Sequence, residues 1–172
     1  MKISNTLSVF LITLFGAVIG NKIPVFKYTN FTVELQPGNP YFENWSTEIN
    51  EGGDTLSARS PVKADPPEDL MARIIAEVNG DRVFFIEIGV CESYESGMAD
   101  QNLLDHGYPK DKFPRSCPIK AGDYGVRDYK FTAENIPFEV PAGDFIVKYS
   151  FFEPSNGESL VTLTSEGQLT YK

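Results

Sequence analysis

The chain has 172 residues, a formal net charge of −9, 13% aromatic content, two cysteines and one histidine. That length suits one domain with a single buried core. The acidic balance excludes nucleic acid and anionic membranes as partners, since both need clustered Lys and Arg, and the aromatic content favours β structure.

Residues 1–20 place Lys2 ahead of an apolar stretch from Val9 to Ile19 and end on the short residues Val18 and Gly20. This is the pattern of a secretory signal peptide, too short for a membrane span. Its removal leaves 21–172 as one secreted, extracellular domain with no integral membrane segment in the mature chain. Ile23 to Leu35 reads as a strand pair or one long bent strand. Two sequons, Asn30-Phe31-Thr32 and Asn44-Trp45-Ser46, are candidate glycosylation sites at Asn30 and Asn44. With Asn30 outward, Thr32 and Glu34 share its face, while Phe31, Val33 and Leu35 point inward.

After the turn Gln36-Pro37-Gly38-Asn39-Pro40, segments Phe42 to Ile49 and Leu56 to Val62 flank a hairpin connection, Asn50-Glu51-Gly52-Gly53-Asp54. The strongest hairpin signal joins Leu70–Val78 to Arg82–Val90 through Asn79-Gly80-Asp81, with Leu70, Ala72, Ile74, Ala76 and Val78 on one parity. Tyr94 to Leu104 lacks alternation and predicts a short helix, ended by His106-Gly107-Tyr108-Pro109. Strands return at Asp123–Phe131, Phe145–Phe152 and Leu160–Tyr171, with a bulge expected at Gly167. About seven to nine short strands predict an all-β fold, an antiparallel β-sandwich or β-cup with one short helix. A closed lipocalin-type barrel would need long, evenly spaced strands.

Cys91 and Cys117 are the only cysteines. In an exported chain a lone pair predicts one disulfide, which stabilises the fold by about 3 kcal/mol in the chain-entropy model. His106 is the only histidine, which excludes multi-histidine metal sites, and it reads as a loop residue. No Gly-x-Ser-x-Gly elbow, phosphate loop, His-Glu-x-x-His or paired Cys-x-x-Cys occurs, so the expectation is no enzyme, no metal and no cofactor. Asp65, Glu68, Asp69, Glu92, Glu95, Asp100 and Asp105 read as a solvated acidic surface. The alternating apolar residues leave two explanations open: a solid core, which alternating strands usually build, or the walls of a cavity.

The stretch Cys117-Pro118-Ile119-Lys120-Ala121-Gly122-Asp123-Tyr124, followed by Phe131, Pro137, Pro141, Gly143-Asp144-Phe145 and a final alternating strand, resembles the ML (lipid-recognition) family. Within it, the chain is most similar to the ganglioside activator branch and the related insect chemosensory type B secreted proteins. The likeness runs from Cys91 to Tyr171, about half of the mature chain. The ganglioside activator has several disulfides and this chain can form one, which favours the insect relatives.

The resemblance implies a β-cup whose interior holds a lipid or another hydrophobic small molecule. It turns the inward residues into pocket walls: Ile74, Val78, Phe84, Ile86 and Ile88, then Phe145, Val147, Tyr149 and Phe151, with Ala72 and Ala76 between them. Ile136 and Phe138, with Met98, Leu103 and Leu104, become candidates for the mouth. It implies a non-enzymatic carrier, serving chemosensation of a pheromone-like cue or lipid presentation and transport. The alternative is an extracellular interaction module or enzyme activator with a solid core, partnered by a receptor or a lipid-processing enzyme.

Overall fold

The computed structural model describes residues 22–132 and 139–172. Nine strands and two short helices occur among them: β1 (Pro24–Leu35), β2 (Ser46–Ile49), β3 (Leu56–Arg59), β4 (Met71–Val78), β5 (Asp81–Gly89), α1 (Val90–Glu95), α2 (Gln101–Asp105), β6 (Gly107–Tyr108), β7 (Gly125–Tyr129), β8 (Gly143–Phe152) and β9 (Ser159–Tyr171). All pairings are antiparallel, in a five-stranded sheet ordered β1-β9-β8-β4-β5 and a four-stranded sheet ordered β2-β3-β7-β6. The expected all-β sandwich is therefore present, with Cys91 and Cys117 joined in a disulfide. The one expected helix is two, separated at Ser96–Asp100, where Gly97 takes φ +71.

The β4–β5 hairpin turns at Asn79 and Gly80, both at positive φ, as the two-residue turn between twisted strands requires. This turn is also docked. The Asn79 side chain donates to Ala142 O at 3.1 Å and accepts from Asp144 N at 3.1 Å, aligning the start of β8. A side chain at residue 143 would collide with Asn79, and Gly143 takes φ +150, so glycine is required twice over.

In β1 the expected face assignment is observed: Asn30, Thr32 and Glu34 are exposed, and Phe31, Val33 and Leu35 are partly buried. The strand is single and long, and its register slips between Tyr28 and Asn30. The extra residue, Thr29, switches the parity, so that Tyr28 and Phe26 also face inward. The irregularity expected at Gly167 thus lies in the strand opposite. Gly167 pairs with Tyr28, and a Cβ there would stand 2.0 Å from Lys27 O, so it admits the bulged strand to close range.

Two apolar clusters form the core. One, at the disulfide end, gathers Phe42, Val62, Leu70, Ala72, Val90, Tyr124, Leu160 and Val161. Phe42 and Trp45 stack against Phe151 there, at centroid distances of 5.8 and 6.2 Å. The other, at the hairpin-turn end, gathers Tyr28, Leu56, Val78, Phe145 and Leu169. Along β1 and β2 the sheets are tied directly: Thr47 Oγ1 donates to Phe31 O at 2.7 Å, and Tyr28 N donates to Gly53 O at 2.7 Å.

Candidate ligand-binding site

Register sorts the inward face of the large sheet into rows running from β1 through β9, β8 and β4 to β5. At the disulfide end stand Leu35, Val161, Phe151, Ala72 and Ile88; next come Val33, Leu163, Tyr149, Ile74 and Ile86; then Phe31, Ser165, Val147, Ala76 and Phe84. Tyr28, Gly167, Phe145 and Val78 follow at the hairpin-turn end. The rows differ in burial. Val161, Ala72, Val78 and Phe145 are between 1% and 4% exposed, whereas Ile74, Ala76 and Ile86 are only half-buried and belong to neither cluster among the described residues.

The small sheet repeats this division on its inward side. Ile49, Leu56 and Tyr129 line up across β2, β3 and β7 near the hairpin-turn cluster, and Phe42 bridges Val62 at the disulfide end. The row between is made of small side chains, Thr47, Ala58, Val126 and Gly107. Half-buried apolar side chains on one sheet and a row of smaller residues on the other make this stretch the candidate cavity wall.

The residues singled out in the sequence therefore separate. Ile74, Ile86, Phe84, Ile88, Val147, Tyr149 and Phe151 all share the inward face and stay partly exposed. Val78 and Phe145 share that face but are sealed in the hairpin-turn cluster, in the row next to Ala76 and Val147. Ile136 and Phe138 lie outside the described residues. Of the other mouth candidates, Met98 is 58% exposed, Leu103 half-buried and Leu104 buried in α2. Asn30 and Asn44 are both exposed.

Sequence reasoning missed Leu163 and Ser165, although the alternation Val161, Leu163, Ser165, Gly167 on β9 carries their signal. It also missed Tyr94, whose segment has no period to read. The ring of Tyr149 packs edge-on against Phe151 at 5.0 Å. Burial pushes the Tyr149 phenol well above the ordinary tyrosine range, with nearby Tyr94 adding to the shift, and burial raises Tyr94 as well.

Around the site, the segment between the cysteines is held by specific groups. Asp100 caps α2 by accepting from Asn102 N at 2.9 Å, and its other oxygen accepts from the Tyr129 hydroxyl at 2.6 Å. It is thus a joint between α2 and β7, where the sequence suggested only a solvated acid. His106 ends α2, its Nδ1 2.8 Å from Asn102 O, in keeping with a loop role. The motif from Cys117 to Tyr124 is structural. Lys120 Nζ donates to Asp65 at 2.9 Å, Ala121 N donates to the same carboxylate at 2.7 Å, and the Tyr124 hydroxyl donates to Lys120 O at 3.0 Å. The salt bridge and hydrogen bond hold the Asp65 carboxyl below its ordinary range.

No protein family matches the chain, and no curated protein does. Among solved structures, a Niemann-Pick type C2 protein from Japanese carpenter ant aligns with a TM-score of 0.36 at 13% identity, over 84% of this chain and 92% of that one. A superposition that loose carries no inference about what this chain binds.

Proposed function

We propose that the chain is a secreted, non-enzymatic carrier that holds a lipid or other hydrophobic small molecule between its sheets, in the manner of the ML family's ganglioside activator-like and insect chemosensory members. The observation that carries this reading is the half-buried apolar patch of Ile74, Ala76 and Ile86 between two well-packed clusters. A ligand covering that patch gains about 25 cal/mol per Å² of apolar surface removed from water. The disulfide and the export-type leader favour an extracellular setting, with 21–172 as the working domain. No helix among the described residues is long and apolar enough to cross a membrane. Presentation of a chemical cue or transport of a lipid are the roles that fit such a carrier.

The test is uptake of an uncharged fluorescent probe, N-phenyl-1-naphthylamine, by delipidated protein, followed by displacement with a broad lipid panel. The expected result is saturable uptake that Ile86→Trp abolishes by filling the space, while the unfolding midpoint stays near wild type. No uptake by the wild type would overturn the reading.

A second reading, an interaction module for a receptor or a lipid-processing enzyme, draws on the outer face. Phe85 is 50% and Ile146 36% exposed there, with Ile75 paired to Phe85. Phe85→Asp should leave probe uptake unchanged under the carrier reading and abolish capture of a partner under the second.

A further inference from the structure

The two middle rows of the large sheet's inward face are apolar except for Tyr149 and Ser165. Tyr149 sits between Leu163 and Ile74, beside the half-buried hairpin. Its hydroxyl makes no hydrogen bond with a described residue, and neither does that of Tyr94 in α1, which packs against the same disulfide-end cluster as Tyr149. Among the described residues, no side-chain oxygen or nitrogen is both sealed from solvent and without a partner. Both hydroxyls therefore border space that an atom the size of water can enter.

Both hydroxyls are reachable by water and border an apolar wall, so each can donate to or accept from a ligand oxygen that displaces that water. No Lys, Arg or His stands on these rows. A carboxylate or phosphate drawn into this space would be desolvated with no cation to offset it.

Resting on the carrier reading, we propose that the cup selects an uncharged amphiphile, a long-chain or ring hydrocarbon bearing one oxygen function such as an alcohol, ketone or ester, and that Tyr149 and Tyr94 hold that oxygen. Ile74 and Ile86 then cover its hydrocarbon part. The phenols remain protonated donors, so the recognition needs no ionised group.

The test compares 1-dodecanol, dodecane and dodecanoate as competitors of N-phenyl-1-naphthylamine on delipidated full-length protein at neutral pH. The wild type should prefer the alcohol over the alkane by roughly 5–10-fold, the worth of one well-made neutral hydrogen bond, and should bind dodecanoate more weakly than the alcohol. Tyr149→Phe and Tyr94→Phe should each reduce the alcohol's advantage, and the double variant should remove it, with dodecane affinity unchanged throughout. Dodecane binding shows that a variant's cup is intact, and if one variant loses it the other decides. An unchanged alcohol-to-alkane ratio in the variants, or preference for dodecanoate, would overturn this proposal while leaving the carrier reading standing. Failure of the wild type to bind the probe or any competitor would overturn both.

Discussion

The end rows and the middle rows of the large sheet use the same kinds of side chain and do different work. At the disulfide end Phe151 meets Phe42 and Trp45, and at the hairpin-turn end Phe145 packs edge-on against Tyr28 and Phe26 at 5.5 and 5.4 Å. In the middle, Ile74 and Ile86 are apolar and face inward as well, but the facing sheet has Thr47, Ala58 and Val126 in its middle row. Whether an inward isoleucine is core or wall depends on the volume supplied from across the sandwich. The ends are closely packed, and between them the inward isoleucines stay half-buried.

This contrast is open to direct attack. Phe145→Ala should cost about 3–5 kcal/mol in urea unfolding, and Ile86→Ala less than about 2 kcal/mol, because a half-buried side chain at a cavity edge leaves little new void. Equal losses would mean that the middle is packed as tightly as the ends. Replacing both Cys91 and Cys117 by Ser should cost about 2–4 kcal/mol, read as a lowered Tm, with probe uptake falling as the inter-cysteine segment loses its tether to β5.

Tyr129→Phe removes the hydroxyl that donates to Asp100 and should cost about 1.5–3 kcal/mol, the range for a hydrogen bond to a charged group. Its effect on uptake sharpens the contrast, since α2 is joined to β7 through that bond. The smallest effect belongs to Asp65, exposed at the disulfide end. Its folded pKa lies below the unfolded value, so its contribution is present above about pH 4 and fades as pH falls through the depressed folded value. Tm measured against pH should show Asp65→Asn below wild type at neutral pH, the two curves converging in acid.

The β4–β5 hairpin was legible because the Asn79-Gly80 turn and the alternation of Ala72, Ile74 and Ala76 against Ile88, Ile86 and Phe84 agree, although the slip between Ala76 and Glu77, which leaves Val83 as an extra residue, was not. The inward set Phe31, Val33 and Leu35 was legible for the same reason. The switch at Thr29 was not, because a bulge is decided by the partner strand, and its only trace in the sequence is the glycine opposite, at 167. Of the candidate site, most of the inward residues could be named in advance. Val78 and Phe145 could not be told from Ile74 and Ile86, since parity gives the face and says nothing of what stands across from it.

By itself the sequence determined most of the strands and their faces, the β4–β5 turn and the cysteine pair, all of which follow from local signals: period-two alternation, turn dihedrals and a lone pair of thiols. Only the tertiary structure decided which inward residues are sealed and which stay half-buried, that Asp100 is a joint between α2 and β7, and that Tyr94 and Tyr149 pack against one cluster. These depend on contacts between segments far apart in the chain, where register and side-chain volume across the two sheets set the outcome.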